Sequence, residues 1–238
     1  MDSQHLVNRL KSRLRLLSVA NTKLMKGTGQ KVMTLGLHLA PASLSGHNVC
    51  AASTPDCRAF CLNLAGKGVF PAVQAARIRK TKMFFEERQT FLDMLHADIR
   101  IGAATIRDAG YEPAIRLNVL SDIRWEIYGV PQAHPDVQHY DYSKLPNRKG
   151  VPANYHLTFS FSGNNLEACR AALRNGMNVA VPFRNKPATW LGYPVVDGDE
   201  DDLRFRNVGS PVIIGLSPKG KLRAQPTSPF LGDNHEAA

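Results

Sequence analysis

Seven short apolar runs, bounded by Gly, Pro, Asn and Asp, set the strongest limit on what this chain can fold into: residues 31–41, 112–123, 137–145, 155–163, 178–183, 193–197 and 210–216. As a set they read as runs of Val, Ile, Leu and Phe rather than clean apolar–polar alternations. A strand with one wet face alternates, whereas a strand covered on both faces does not, and the second kind builds parallel sheets flanked by helices. Helical patterns fall between the runs. Residues 73–109 place Ala76, Phe84, Phe91, Leu95 and Ile99 on one stripe, and 164–176 reads as a helix capped by Asn164 or Asn165 and stopped by Gly176. The pattern predicts an α/β protein with a parallel sheet, as a complete or partial TIM-like (β/α) barrel, with a doubly wound open sheet as the second choice.

A chain of 238 residues with 43% hydrophobic content fits one large domain. The expected boundaries are a basic N-terminal helical arm (1–30), the α/β domain (31–231) and a flexible tail (232–238). Leu6, Leu10, Leu14 and Leu17 share a helical face of the arm, which is expected to pack on the domain. No apolar stretch approaches the roughly 18 residues of a membrane span. The N-terminus, MDSQHLVNRLKSRLRLL, has neither a continuous apolar region nor a small-residue cleavage site, so it does not read as a secretory signal. Four cysteines make no disulfide scaffold and fit a reducing, cytoplasmic setting.

The net charge of +10 makes nucleic acid a partner to consider, and a solvated basic face explains it equally well. Residues 1–31 hold seven Lys/Arg against one acid, whereas 197–202 (DGDEDD) hold five acids. Arg77, Arg79, Lys80 and Lys82 could lie along phosphates, but only Phe84 and Phe85 stand near them for stacking.

Three of the four cysteines, Cys50, Cys57 and Cys61, fall on the loop after the first predicted strand, spaced C-x6-C-x3-C. Crowded thiolates repel unless something holds them. Three suit an iron–sulfur cluster of the [4Fe–4S] kind with one iron open to another ligand. Asp199, His47, His38 or a small anionic molecule could take that position. A Cys3His zinc site completed by His47, a disulfide and unligated thiols are the alternatives. Cys169 falls with Leu166 and Leu173 on one helical face and reads as a core residue.

Polar side chains gather toward the carboxyl ends of the runs. Arg116, Asn118, Asp122, Tyr140, Asp141, Lys144 and Asp199 are expected to line a pocket there, where barrels of this kind carry their sites. Asp122, Asp141 and Asp197 could instead hold Mg²⁺ or Mn²⁺, the basis of an alternative reading as a carboxylate-metal nuclease. A nucleic-acid-binding protein with a structural zinc is another. There is no Walker A loop, HExxH or GxSxG element.

A strand followed by three loop cysteines at the start of an α/β barrel distantly resembles the radical S-adenosylmethionine architecture, although the C-x3-C-x2-C spacing usual there differs at both intervals. The cysteine loop with LNLAGKG, RLNVLSDIRWE, HYDYSKL, NYHLTFS, NVAVPF, VVDGDEDDLRF and VIIGLSPKGKL, in that order over about residues 27–231, more closely resembles the "gene product eighty-eight" proteins encoded largely by phages and mobile elements. That resemblance implies a barrel-like domain with a cysteine-bound cluster, working in the host cytoplasm. It implies no particular reaction.

Overall fold

All seven apolar runs form strands in the computed structural model, which describes residues 3–19, 26–207 and 209–235. In chain order the strands are β1 (Leu17–Ser18), β2 (Val32–Leu37), β3 (Glu112–Arg116), β4 (Gln138–Ser143), β5 (Tyr155–Ser160), β6 (Val179–Pro182), β7 (Thr189–Trp190), β8 (Tyr193–Asp197) and β9 (Ile213–Leu216). They form one sheet in the order β1-β2-β3-β4-β5-β6-β9-β8-β7. The seven from β2 to β8 in that order are mutually parallel, as the apolar runs predict. The two strands that sequence reading missed, β1 and β7, have two residues each and add antiparallel edges.

The helices are α1 (Ser3–Arg13), α2 (Pro55–Ala59), α3 (Pro71–Glu86), α4 (Arg88–Asp108) and α5 (Leu166–Arg174). One apolar layer joins Leu35 and Ile115 of the sheet to Phe84, Phe91, Leu95, Ile99 and Ile106 of α3 and α4. A second joins Phe159, Val179, Val181 and Ile213 to Cys169 and Leu173 of α5. The predicted helix over 73–109 is two helices, because the backbone turns out of helical geometry at Glu87 (φ −130°, ψ 51°). In α5, Asn165 occupies the cap position but spends its side chain on the Ser160 carbonyl and the Ser162 amide. Gly176 follows the helix with φ +82°, as a stop residue should.

The arm is corrected in part. Leu6 and Leu10 are buried in the main core, but α1 ends at Arg13, and Leu17 pairs with Leu37 in a strand. Residues 20–25 of the predicted arm lie outside the described residues. Within the predicted tail, residues 232–235 form a turn in which Asp233 accepts the Arg184 and Asn185 amides at 2.9 and 3.0 Å. Gly232 lies so close to Phe183 that a Cβ would stand 2.2 Å from its ring.

The sheet is curled. Flat, it would hold β2 and β8 about 29 Å apart, at ~4.8 Å per strand. Yet the Gly198 amide still bonds β9, the Lys31 carbonyl still bonds β3, and Asp201 accepts from Gln30 at 2.7 Å. Asp201 follows Gly198 by only three positions, about 10 Å at full extension. Segment 198–207 therefore fills the inside of the curl, and Leu203 is buried there with Val32, Ala114 and Tyr140. Among the described residues no pairing joins β2 to β8, so the strands stop short of closing a barrel.

Candidate functional site

The loop after β2 is built so that its three cysteines face one space. The Ala42 amide donates to Cys50 Sγ at 3.3 Å, and the Val49 amide donates to the Ala42 carbonyl, closing the turn that presents Cys50. Thr54 caps α2: its Oγ1 accepts the Cys57 amide at 3.0 Å and donates to the Ser162 carbonyl at 3.1 Å, tying the helix to the end of β5. Pro55 at the first helical position fixes the entry. Cys57 thus sits in the first turn, and Cys61 lies two residues past the last. None of the three is in a disulfide, all are half-buried, and all line a cavity of about 390 Å³.

Burial pushes the Cys50 thiol up to about 11, with the neighbouring Cys57 and Cys61 adding to the rise and the Ala42 amide opposing it. Burial raises Cys61 as well, against a hydrogen bond from the Asn63 amide. Ionising Cys50 and Cys61 therefore needs a positive partner in the cavity. Lys144 lies close enough to Cys50 and Cys61 to favour their thiolates, and its ammonium has no ion-pair partner among the described residues.

The cavity lies over the carboxyl ends of the parallel strands, with Arg116, Tyr142, Lys144, Ser160, Pro182 and Leu216 among its walls. Of the seven residues expected in a pocket, Arg116, Asn118, Asp122 and Lys144 line it; Tyr140, Asp141 and Asp199 do not. Arg116 donates to Asp202 at 2.7 Å. Asn118 organises the loop after β3, its Oδ1 accepting from Ser121, Ile123 and Trp125. Asp122 accepts from Ser143 Oγ and the Lys144 amide, both at 2.7 Å. Tyr140 bonds Thr34 and Asp202 inside the curl. Asp199 pairs with Lys186 and accepts the Ser217 amide, and Lys186 holds Asp197 as well.

The alternative sites are not assembled. His47 stacks on Phe85 with centroids 4.4 Å apart, faces Glu86, and does not line the cavity; neither does His38. Asp122, Asp141 and Asp197 have separate partners. Among the described residues no group of three His, Cys, Asp or Glu side chains converges tightly enough for a single metal ion. Arg77 and Lys80, expected along phosphates, turn inward to Asn63 and to the Leu16 carbonyl. Sequence reading missed Asp202, whose partners lie on distant strands, and the exposed apolar residues at the cavity mouth.

Asp141 is fully buried behind the cavity, accepting from the Asn118 amide at 2.7 Å and Tyr155 Oη at 2.8 Å. Burial raises its pKa to about 7, against the pull of Arg116. The folded protein thus keeps a proton that the unfolded chain releases above pH ~4, so this contribution to stability is complete below pH ~4 and lost as pH rises through ~7. Asp141→Asn should shrink the fall in unfolding free energy between pH 5 and pH 8 by about 2–3 kcal/mol in denaturant titrations. An unchanged slope would show that Asp141 does not titrate there.

No helix among the described residues is long and apolar enough to cross a membrane. Comparison with curated proteins and with solved structures gave no match to either. The family model described as "Gene product 88", by contrast, matches residues 15–229. That span runs from the segment leading into β1 to the loop beyond β9, and so includes the three cysteines, every strand and the plug inside the curl: the chain belongs to the Gene product 88 family.

Proposed function

We propose that Cys50, Cys57 and Cys61 hold an iron–sulfur cluster of the [4Fe–4S] kind, and that the protein uses it in redox chemistry or as a Lewis acid toward a small anionic ligand. The observation carrying this reading is the convergence of three half-buried thiols on one cavity, with backbone amides directed at two of the sulfurs. Amide hydrogen bonds to sulfur are among the features that tune such clusters. Zinc fits less well. At Zn–S distances near 2.3 Å, tetrahedral ligand atoms stand about 3.8 Å apart, a convergence these side chains do not make. In a four-iron cluster each thiolate binds a different iron, which suits wider spacing. None of His38, His47 and Asp199 lines the cavity, so the fourth iron is left to an exogenous ligand, with Lys144 placed to receive its negative charge.

Anaerobic purification followed by iron, sulfide and zinc analysis tests the reading. About four irons and four sulfides per chain, with a broad absorption band near ~400 nm, are expected, and Cys57→Ala should lose them. One zinc per chain without sulfide would overturn it.

A further inference from the structure

Six large apolar side chains stand out as exposed among the described residues, and five of them, Leu44, Leu62, Leu64, Val69 and Phe70, belong to the cysteine loop and the turns that follow it. Each is 46–55% exposed, the sixth being Ile127 far away in sequence. Leu44, Leu62 and Leu64 also line the cavity, so the apolar surface begins at its mouth. Solvent gains nothing from such a cluster, and clustered exposed apolar groups commonly mark a docking surface.

The surrounding charge is predominantly basic. Arg58 and Lys67 lie within the segment. Across from it runs the turn Gly220–Ala224, close enough that a Cβ on Gly220 would stand 3.2 Å from Ala65. That turn brings Lys221 and Arg223, Lys219 just before it is paired with Asp199 at 3.7 Å, and Asp56 is the only acid between 56 and 70. An apolar centre within a basic rim fits an acidic surface. Single-stranded nucleic acid would use aromatic rings as stacking platforms, and four of the five apolar residues are aliphatic.

We infer that this rim docks an acidic electron-carrier protein, which exchanges one electron with the thiolate-bound iron beneath it. The inference rests on the cluster reading for its redox half, and on the rim alone for the docking half. In the exchange the reduced carrier loses one electron, the iron gains it, and no bond forms or breaks. Encounters of this kind use small interfaces and depend on charge, so affinity should be modest and should fall with salt.

The test uses the anaerobically purified full chain and an acidic [2Fe–2S] ferredoxin as probe, with binding followed by calorimetry and reduction by stopped flow. Binding should weaken at least tenfold between 20 and 300 mM salt. Val69→Asp/Phe70→Asp, at positions outside the cavity lining, should weaken both binding and the second-order reduction rate at least tenfold, and Lys67→Glu severalfold. Iron content, melting temperature and reduction by dithionite should stay as in the parent. Absence of ferredoxin binding, or binding unchanged in the double variant, overturns the docking proposal. A preparation without iron and sulfide overturns the cluster reading and the electron exchange, with docking still decided by calorimetry. If the double variant instead loses affinity for a labelled 20-nucleotide single strand and keeps it for ferredoxin, the rim is a nucleic-acid surface and the proposal fails.

Discussion

Asp202→Ala is expected to lower the unfolding free energy by about 3–5 kcal/mol, because it strands a buried guanidinium. Asp202 is 1% exposed and lies inside the curl of the sheet. It accepts from Arg116 Nη1 at 2.7 Å, Tyr142 Oη at 3.1 Å and Tyr140 Oη at 3.4 Å. Arg116 and Tyr140 are themselves buried, so water cannot replace the lost acceptor without opening the interior. Removing one member of a buried pair costs far more than removing both, since the survivor keeps its desolvation penalty. Asp202→Leu combined with Arg116→Met should therefore recover most of the loss, and Asp202→Asn, which keeps an acceptor but no charge, should fall between. Equilibrium denaturation of the three variants separates these cases. A loss below about 1 kcal/mol in Asp202→Ala would mean that the plug is not held by this pair. Asp141 is the nearest other acid to Arg116, at 4.0 Å, and should inherit part of the attraction. Its pKa would then drop, and the pH slope assigned to it would flatten in the same variant.

The difference between Asp202 and the rest of DGDEDD shows which features of this fold can be read along the chain. Strands buried on both faces leave a local mark, a continuous apolar run, and β2, β3, β6 and β9 were legible for that reason, whereas β8, which has no fully buried residue, was legible only from its Val195–Val196 pair. The cysteine loop was legible because its three thiols are near neighbours in sequence. Five acids in six positions suggest a solvated turn, and Glu200 and Asp197 do remain exposed. Nothing local marks Asp202 as the one that turns inward, since its partners come from β3 and β4, some 60 residues or more away. The expected pocket residues divide by the same logic. Position at a strand end placed Arg116, Asn118, Asp122 and Lys144 on the cavity, but short side chains such as Asp122 and Asn118 are occupied in bracing loops. The break at Glu87 escaped notice because α4 continues the apolar stripe after it.

Asp98 shows the same concealment in a helix, and its removal should be the second most damaging substitution. On sequence it is one acid in a basic stretch, yet it is buried on α4, where its hydrogen bonds go to backbone and Lys80 lies nearby. Its carboxylate accepts the amides of Arg15, Leu16 and Leu17 at 2.7–3.1 Å, just where the chain leaves α1 and enters β1. Lys80 completes the clamp by donating to the Leu16 carbonyl at 2.6 Å. Asp98→Ala would leave the buried amides of Leu16 and Leu17 without an acceptor, at about 1–3 kcal/mol each, and the part-buried Arg15 amide at less. The segment can avoid the full sum by peeling away, but peeling unpairs β1 from β2 and exposes Leu6, Leu10, Leu16 and Leu17. Asp98→Ala should therefore cost about 3–4 kcal/mol, capped by the docking energy of the N-terminal segment. Hydrogen exchange distinguishes this from a general loss of stability. The Leu16 and Leu17 amides should lose protection by far more than those of β4 and β5, and Asp98→Asn, which keeps one acceptor, should restore part of it. Equal loss across all strands would mean that Asp98 supports the whole core and is no local clamp.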